Sequence, residues 1–506
     1  MLLLCSLSVN ALNYRFVKTL NEVALRILPA GNGNFYTIST QLDCPDDHVL
    51  IRYFSPQGQL LNGFQSPAYI GDITSLDALV RPNGNIVLYI RMNDINHHLY
   101  EFTSAGSLVW NNNLQFTNPV IKFVKIKEAN GGGLYLLGNT LQSNWSDSSR
   151  AILTRLNPVG KHIWTKYYRM NNTLPASTEF NDIVVENNRL VLCGRFYYPG
   201  TMTGWAPYRP LITLTDTAGS LQQSYYYMVD STIIGFDDYE FVQMRKSNAG
   251  NYYFMAFNFG NEHAFFKIDA QFQLKWIREH LSGRANTICT GANDDLYYVP
   301  ESPPMNFVAH FDSAGNDLPG HITKDAPGTD IEYGHIIQIE ADDCGYLLTS
   351  TENMLARTDA NMNYCIDSTY NYPVPYYPVT TFYRANAYLQ QGVLTSLNEY
   401  LMTAGYTSAS GTLTDICSST FSCGGATGWE DVNLQKLSVF PNPAGEEIHI
   451  SVPEPGFAEL YDPLGRLVLK NEGSPVLQLQ SIPSGIYQLK WIGKEHQYHV
   501  QLFHAR

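Results

Sequence analysis

An internal repeat of paired hairpins constrains the fold of this 506-residue chain more than any other feature. The first hairpin of each unit turns at an Asn- and Gly-rich segment such as Pro82-Asn83-Gly84-Asn85, and the second at a segment that ends in Gly, such as Ser55-Pro56-Gln57-Gly58. The second turns are marked by Gly58, Gly106, Gly160, Gly219, Phe272, Gly315 and Met362, which are 48, 54, 59, 53, 43 and 47 positions apart. Each unit therefore contains four short strands, because Gly and Asn adopt the dihedral angles that tight turns require.

This period predicts an all-β fold, a β-propeller, in which four-stranded blades close into a ring and leave few exposed strand edges. Eight first hairpins are recognisable, the eighth at Ser396-Leu397-Asn398-Glu399, so eight blades are favoured and seven are the alternative. The two ends of the repeat region are predicted to close the ring within one blade. Residues 412–416 would supply the third strand of that blade and residues 14–20 its outermost strand.

One face of the predicted ring is expected to bind ligands. The turns within each hairpin are short, whereas the second-to-third loops and the connections between blades vary in length, and binding residues concentrate in variable loops on rigid scaffolds. The candidate ligand contacts are the aromatic and polar side chains of these loops: Trp145, Tyr197, Trp205, Tyr208, Arg209, Asp237, Asp238 and Tyr239. Packing beneath their own loops is the alternative for these side chains. By contrast, Trp110, Trp164 and Trp276 recur in phase with the repeat, which predicts that they lie between blades.

Signatures of catalysis and metal binding are missing from the sequence. It contains no nucleophile elbow, zinc-protease motif, phosphate-binding loop or dinucleotide-binding glycine pattern. Its acidic pairs, such as Asp342 with Asp343, do not have the alternating spacing of a calcium loop. His97 and His98 are adjacent in a predicted strand and therefore point to opposite faces of a sheet. We predict no catalytic residues, no metal site and no cofactor.

Composition narrows the choice of partners. The chain has 46 acidic and 32 basic residues and a net charge of −14, which argues against nucleic acid or an anionic membrane as a partner. No internal stretch approaches the roughly 18 apolar residues of a membrane-spanning helix, so no transmembrane segment is predicted. Eight cysteines without a C-x-x-C pair fit neither a zinc site nor a disulfide scaffold. Cys417 with Cys423 is the main disulfide candidate.

The tail of the chain, residues 437–506, is a separate region with alternating apolar residues, which predicts a small antiparallel β-sandwich. Three motifs follow one another in it: Val439-Phe440-Pro441-Asn442-Pro443-Ala444, Leu460-Tyr461-Asp462-Pro463-Leu464-Gly465-Arg466-Leu467-Val468 and Pro483-Ser484-Gly485-Ile486-Tyr487. The residues that define the motifs are Pro441, Asn442, Pro443, Asp462, Gly465, Arg466, Gly485 and Tyr487. Residues 424–436, which begin with a Gly-rich run, are predicted to link this domain to a propeller of residues 12–423.

In their order and position, these motifs resemble the type A C-terminal sorting domain of cargo proteins that Bacteroidota export through the type IX secretion system. The resemblance implies that the secretion machinery recognises the domain at the outer membrane and that a sortase-like peptidase removes it. It also implies a location outside the cell or on the outer-membrane surface of a Gram-negative bacterium, reached through the periplasm. The apolar residues that precede Val9-Asn10-Ala11 agree, because they predict a signal peptide over residues 1–11, or the end of a longer one.

Two classes of function remain for the propeller. The first is a non-catalytic binding or adhesion protein, secreted or attached to the cell surface, that holds a protein or glycan ligand on the variable face. The second is a secreted hydrolase or lyase that acts on polysaccharide or peptide. Three or more Asp, Glu, His or Arg side chains converging on the central channel would favour the enzyme. The first class is preferred because no repeat shows a distinctive charged set at a central position.

We predict that the tail is an independently folded export signal. Deletion of residues 437–506 should leave the propeller folded, because the motifs and strands of the tail are self-contained, but should retain it in the periplasm. Fractionation of a type IX-competent host, with thermal unfolding of the recovered protein, measures both effects. Recovery of the truncated protein in the medium would contradict the prediction.

Overall fold

The computed structural model contains two compact units, one of residues 11–423 and one that includes residues 424–506. Each unit is described here by itself. The structure describes residues 13–19, 24–31, 33–43, 46–66, 69–70, 73–92, 96–116, 120–140, 149–170, 177–197, 208–229, 239–258, 263–280, 285–291, 293–300, 307–323, 336–341, 345–350, 354–359, 367–370, 376–378, 382–387, 389–394, 398–400, 407–408, 414–421, 435–436, 438–440, 447–451, 456–461, 467–472, 474–480, 482–483, 485–493 and 497–504.

Every regular element in the described residues of the larger unit is a strand. The strands are β1 (Asn13–Thr19), β2 (Ala24–Pro29), β3 (Phe35–Asp43), β4 (Asp46–Phe54), β5 (Leu60–Gln65), β6 (Tyr69–Ile70), β7 (Ile73–Val80), β8 (Ile86–Met92), β9 (Asn96–Phe102), β10 (Leu108–Gln115), β11 (Ile121–Glu128), β12 (Leu134–Thr140), β13 (Ala151–Leu156), β14 (His162–Met170), β15 (Thr178–Val185), β16 (Arg189–Tyr197), β17 (Tyr208–Asp216), β18 (Leu221–Val229), β19 (Tyr239–Lys246), β20 (Tyr252–Asn258), β21 (His263–Ile268), β22 (Leu274–His280), β23 (Ala285–Thr290), β24 (Leu296–Pro300), β25 (Phe307–Phe311), β26 (Asp317–Thr323), β27 (Ile336–Ala341), β28 (Gly345–Ser350), β29 (Met354–Asp359), β30 (Asp367–Tyr370), β31 (Tyr376–Pro378), β32 (Phe382–Asn386), β33 (Leu389–Leu394), β34 (Asn398–Tyr400), β35 (Thr407–Ser408) and β36 (Thr414–Phe421).

These strands form a β-propeller, as the repeat predicts. Blades 1 to 6 are the antiparallel sheets β2–β5, β7–β10, β11–β14, β15–β18, β19–β22 and β23–β26, and blade 7 combines β27–β29 with β1. The first strands of neighbouring blades contact each other at every junction, including the contact of β2 with β27 that closes the ring. The described strands of the larger unit therefore fall into seven blade sheets.

The eighth hairpin expected around residues 396–399 is not formed. Its two strands, β33 and β34, pair with β14 of blade 3 and β10 of blade 2 and not with each other. Similarly, β29 and β30 on either side of Met362 belong to different sheets, so the turn expected there does not join two strands of one blade. A local hairpin pattern identifies a turn between two strands. It cannot show that each of the two strands pairs instead with the outer strand of a blade elsewhere in the ring.

The segment from β30 to β36 instead forms a perimeter belt, one strand on the outer edge of each blade. Starting at blade 6, it adds β30, β31, β32, β33, β34 and β35 to successive blades in the reverse of chain order. It ends with β36, which pairs with β1 in blade 7. Strands from the two ends of the repeat region thus lie in one sheet, with β1 as its fourth strand and β36 as its fifth. The belt covers edges that would otherwise present unpaired backbone groups.

Hydrophobic clusters fill the spaces between blades. One cluster joins Ile38 and Ile51 of blade 1 to Ile86 and Leu88 of blade 2, and further clusters join blades 2 with 3, 3 with 4, 4 with 5, and 5 with 6. The sheets of blades 2 to 5 are therefore buried on both faces by their neighbours, which explains why a strand such as β8 is buried at every residue rather than at alternate ones.

The tryptophans that recur with the repeat lie between blades, as predicted. Each packs against the turn glycine of the following blade: Trp110 on Gly160, Trp164 on Gly219 and Trp276 on Gly315. Each of these glycines has a positive φ, between 73° and 81°. At the same position in blade 5, Phe272 adopts a φ of 59° and stacks on Tyr225 of blade 4 at 5.8 Å between ring centres. The glycine is therefore required both by the turn and by the ring above it.

His97 and His98 are structural. His97 is buried against Phe116 and Phe123 in the cluster between blades 2 and 3, whereas His98 stacks on Tyr100, which lies in the cluster between blades 1 and 2. Burial lowers the pKa of His97 to about 3 and that of His98 to about 4, so both rings are neutral at physiological pH. The two side chains occupy opposite faces of the sheet, as the strand geometry predicts.

The smaller unit contains two sheets. Its strands are β37 (Gln435–Lys436), β38 (Ser438–Phe440), β39 (Glu447–Ser451), β40 (Gly456–Tyr461), β41 (Leu467–Glu472), β42 (Val476–Gln478), β43 (Gly485–Gly493) and β44 (Gln497–His504), in the sheet orders β37-β44-β43-β40-β41 and β38-β39-β42. Both sheets contribute to one hydrophobic core, which contains Ile448 and Leu477 from the smaller sheet and Leu460, Leu489 and Trp491 from the larger. The predicted alternation of apolar residues is thus the inner face of a sandwich.

We predict that the glycine beneath a tryptophan cannot be replaced. An Ala Cβ at Gly219 would lie 2.5 Å from the ring of Trp164, so Gly219→Ala should lower the free energy of unfolding by about 3 kcal/mol, from a strained φ together with overpacking. Gly250→Ala is the matched control: its φ is 86° but no atom lies within 4 Å of the added carbon, so only the conformational cost of about 1 kcal/mol applies. Equal losses in denaturant unfolding would show that the tryptophan contact contributes nothing.

Candidate functional site

Two of the aromatic residues predicted from the sequence to contact a ligand, Tyr197 and Tyr208, lie together on blade 4. Tyr197 at the end of β16 lies directly opposite Tyr208 at the start of β17, with ring centres 5.7 Å apart and the rings steeply inclined. Arg195 lies over the ring of Tyr208 at 4.2 Å and forms ion pairs with Glu179 at 2.8 Å and Glu240 at 2.7 Å. Glu179 and Glu240 belong to the first strands of blades 4 and 5, so this blade 4 patch extends to the innermost strands of the ring.

The other predicted ligand contacts have different outcomes. Arg209 follows Tyr208 in β17 and is half-buried. Tyr239 is only 2% exposed, lies in the hydrophobic cluster between blades 4 and 5, and donates a hydrogen bond to the carboxylate of Glu279. It is a core residue, and its assignment as a ligand contact was wrong because a residue just after a long loop already begins the next strand. Trp145, Trp205, Asp237 and Asp238 lie outside the described residues.

A second candidate site lies at the centre of the ring, where the sequence analysis identified none. Each first strand has a β-bulge near its start, and the bulges occur at equivalent positions in all seven blades. The residues that follow the bulges form a first layer of side chains: Arg26, Ser75, Lys125, Asp182, Gln243, Thr287 and Gln338. The residues two positions further along each first strand form a second layer of side chains: Leu28, Asp77, Lys127, Val184, Arg245, Cys289 and Glu340.

The residue between the two layers is apolar in every blade. These residues are Ile27, Leu76, Ile126, Ile183, Met244, Ile288 and Ile339, and each is at most 9% exposed. Every member of the first layer is polar, so the sequence carries a repeated polar–apolar pair that could have located the layers. It was missed because the hairpin turns were aligned and the strand interiors were not.

Polar side chains in the layers connect neighbouring blades by accepting backbone N–H groups of the next first strand. Gln338 accepts from Ile27, Asp182 from Met244 and Gln243 from Ile288, each at 2.8 to 2.9 Å, and Asp77 accepts from Ile126 at 2.9 Å. An inner strand edge has unpaired N–H groups, and leaving them buried without an acceptor would cost about 1–3 kcal/mol each. These side chains therefore hold the ring together.

Charged groups of non-adjacent blades also meet at the centre. Arg245 of blade 5 forms an ion pair with Glu340 of blade 7 at 2.8 Å and lies 3.6 Å from Asp182 of blade 4. Arg26 of blade 1 lies 3.4 Å from Asp77 of blade 2. The expectation that no charged set occurs at a central position was therefore wrong. More than three Asp, Glu and Arg side chains converge there, and such a convergence would favour an enzyme.

The chemistry of these carboxylates differs from that of a general acid or base. Both oxygens of Asp182 accept backbone N–H groups, from Ile183 and Met244 at 2.9 Å. Glu340 is shared by Arg245 and Gln338. Although burial raises the pKa of Asp77, the charges of Lys125 and Arg26 and the hydrogen bond from Ile126 hold it below its usual range. Each described carboxylate of the two layers is thus already engaged by hydrogen bonds or ion pairs within the protein.

Cysteines and metal ligands add no further site in the described part of the chain. Cys193 and Cys289 are buried free thiols, and burial raises the pKa of Cys289 to about 12. Cys417 lies in β36 opposite Val17, while Cys423 lies outside the described residues, so their disulfide stays a prediction. No group of three or more His, Cys, Asp or Glu side chains within the described ranges is arranged to hold a metal ion.

Two of the sorting-motif residues lie in described strands of the tail. Gly485 begins β43, and Tyr487 is buried in the same strand, where its hydroxyl donates to the Pro483 carbonyl at 2.8 Å. That hydrogen bond fixes the turn of the third motif against the sandwich core. The remaining motif residues, Pro441, Asn442, Pro443, Asp462, Gly465 and Arg466, lie outside the described residues.

Comparison with known proteins identifies the tail. Residues 438–503 match the family described as "Secretion system C-terminal sorting domain". The resemblance of the tail motifs is therefore confirmed, and the protein is exported by type IX secretion to the cell surface or the medium. No curated protein matches the chain in sequence. In the described residues, no helix is long and apolar enough to cross a membrane.

Solved structures share the propeller fold with this chain. The Dos1 propeller is 10% identical with a TM-score of 0.44 and covers 69% of this chain and 95% of its own length. BamB from Moraxella catarrhalis is 10% identical with a TM-score of 0.38, over 69% of this chain and 100% of its own. The polysaccharide lyase Uly1 is 10% identical with a TM-score of 0.44, over 67% and 90%. These similarities concern the fold alone.

We predict that Asp77 makes the propeller acid-sensitive. A carboxyl with a lowered folded pKa stabilises above its unfolded pKa of about 3.9 and loses that contribution as the pH falls through the folded value. Asp77→Asn should therefore cost about 2 kcal/mol at pH 6, and the gap to the wild type should narrow below pH 4. Denaturant unfolding across this range measures the gap, and a gap that is constant with pH would contradict the prediction.

Proposed function

We propose that this protein is a non-catalytic binding protein that type IX secretion places outside the cell, with a protein or glycan ligand held on the variable face of the propeller. The state of the central ionisable groups carries this proposal. General acid or base catalysis needs a group that is free to give or accept a proton, and the described carboxylates are committed to backbone N–H groups and cations. A binding protein needs only a rigid ring and a shaped surface.

The blade 4 patch supports a ligand site on the variable face. Tyr197 is the last residue of β16 and Tyr208 the first of β17, so the two flank the second-to-third loop of blade 4. Each side chain is partly exposed. Tyrosine rings combine a large rigid apolar surface with a hydrogen-bonding tip, which suits both protein surfaces and the apolar faces of sugars. Arg195 fixes Tyr208 through its ring contact and two ion pairs, so little side-chain entropy remains to be lost on binding. Trp145, Trp205, Arg209, Asp237 and Asp238 are proposed to complete this surface.

A secreted hydrolase or lyase is the second candidate. The observation that favours it is the number of Asp, Glu and Arg side chains at the centre of the ring. Arginines beside a channel can stabilise a developing negative charge, and a catalytic base could be supplied by the variable loops. Release of reducing ends or peptides from a substrate panel by the full-length protein would establish this alternative.

The tail is proposed to act only in export. Its folded sandwich presents motifs for the secretion machinery, and we propose that a sortase-like peptidase removes it after passage through the outer membrane. The linker of residues 424–436 would be the site of cleavage. Mass spectrometry of the mature protein locates its C-terminus and decides this point.

We predict that Tyr197 contributes to ligand binding. Glycan and protein arrays probed with the full-length chain would first identify a ligand, and Tyr197→Ala should then weaken binding at least about tenfold, because an aromatic contact is lost. The control is Ile163→Ala, which removes an exposed side chain from the opposite, turn-bearing end of blade 3 and should leave affinity unchanged. Full affinity of the Tyr197 variant would place the ligand elsewhere.

A further inference from the structure

Two lysines break the bonding pattern of the central layers. Elsewhere in the layers, amide, carboxylate and guanidinium groups bond to the neighbouring first strand or to one another. Lys125 and Lys127 of blade 3 occupy both layers of one blade, and an ammonium group cannot accept the N–H of the next blade. At this junction, the N–H of Ile183 is bound by its own neighbour Asp182 instead. The ring therefore does not need the lysines for its closure.

Neither ammonium group has a hydrogen bond or an ion pair within the described residues. Both side chains are nevertheless half-buried. The charges of Asp182, Lys125, Arg245 and Asp77 affect the pKa of Lys127. Burial and the two neighbouring cations lower the pKa of Lys127, and the two aspartates only partly oppose this effect. An ammonium group that is partly desolvated without a bonded partner is costly to the folded protein. An anionic group from outside would relieve that cost.

Charge balance at the centre points the same way. The described layers hold four cations, Arg26, Lys125, Lys127 and Arg245, against three anions, Asp77, Asp182 and Glu340. These two layers thus have an excess of one positive charge in a chain whose net charge is −14. Because Arg245 is engaged by Glu340 and Asp182, the excess resides on the lysines of blade 3.

We propose that Lys125 and Lys127 bind the anionic group, a carboxylate or a sulfate, of a saccharide that enters the central channel. The blade 4 patch favours a saccharide. Arg195 contacts the ring of Tyr208 and pairs with Glu179 and Glu240, so it connects the tyrosine rings to the first strands of blades 4 and 5. This inference names the ligand class of the proposed binding function and rests on it. The first strand of blade 3 supplies both cations from positions two residues apart, on the same side of the strand.

Isothermal titration calorimetry with the full-length protein tests the proposal. The probes are a galacturonic acid disaccharide, a sulfated galactose disaccharide and the matching neutral galactose disaccharide. At least one acidic probe should bind about tenfold or more tightly than the neutral one, and its affinity should fall with added salt. The acidic probe that binds more tightly distinguishes a carboxylate from a sulfate as the natural anionic group.

The decisive variant is the double substitution Lys125→Gln with Lys127→Gln, which should weaken acidic-probe binding at least about tenfold. Its matched control is Lys122→Gln with Lys161→Gln, the same change of charge at two exposed positions of blade 3, which should leave affinity within about twofold. Thermal unfolding verifies the fold, and the two single variants replace the double if it does not fold.

Three results would overturn the inference: no acidic probe binds, the neutral probe binds as tightly as the acidic ones, or the Lys125 and Lys127 variants bind like the wild type. The second and third leave the proposed function standing if binding still depends on Tyr197. If the arrays also yield no ligand, the proposed function fails as well, so the two failures are distinguishable.

Discussion

Packing of each blade against its neighbours is the constraint on which the rest of this structure depends. A four-stranded sheet with apolar side chains on both faces is insoluble by itself, and each cluster described in the propeller is shared by two blades. The tryptophan-on-glycine contacts repeat this dependence at the turns. A ring satisfies every face at once, whereas an open stack would leave two faces exposed. The addition of β1 to the sheet begun by β27 serves that requirement.

The centre of the ring shows how a structural requirement limits chemistry. There, the inner edges of the first strands carry backbone N–H groups that no strand of their own blade accepts. Side chains of adjacent blades accept four of these groups. A carboxylate that accepts two such groups, as Asp182 does, is held in place by them. Among the described charged side chains of the layers, Lys125 and Lys127 of blade 3 are those without a hydrogen bond or an ion pair, and they are therefore the ones that we propose for function. Charged side chains at the centre of a propeller therefore indicate a functional site only where they are not already hydrogen-bonded or ion-paired within the protein.

The sequence was sufficient for the fold class, the first hairpin of seven blades, the second hairpin of six and the inter-blade tryptophans, because turns and packing positions depend on local patterns. Phe272 was correctly aligned with the turn glycines even though its side chain is unusual at a positive φ. The belt could not be predicted: β33 and β34 are adjacent in sequence, and only their partners in blades 3 and 2 reveal that they are not a hairpin. The central layers were present in the sequence as a repeated polar–apolar pair, but the ion pair of Arg245 with Glu340 spans two junctions of the ring and has no local signature. Tyr239 failed as a ligand contact since burial depends on the neighbouring blade.

The belt imposes an order of events on the newly made chain. Because β36 pairs with β1, and β1 in turn completes the sheet begun by β27, β1 waits for partners from the last part of the propeller. Each belt strand needs a finished blade edge, and the belt is laid from blade 6 back towards blade 1, so no blade acquires its outer strand until all seven inner strands exist. Pairings of such long sequence separation are slow to form. A chain of this kind remains incompletely folded until nearly all of its propeller has been made, an interval during which chaperones and translocation machinery can act on it before the ring closes.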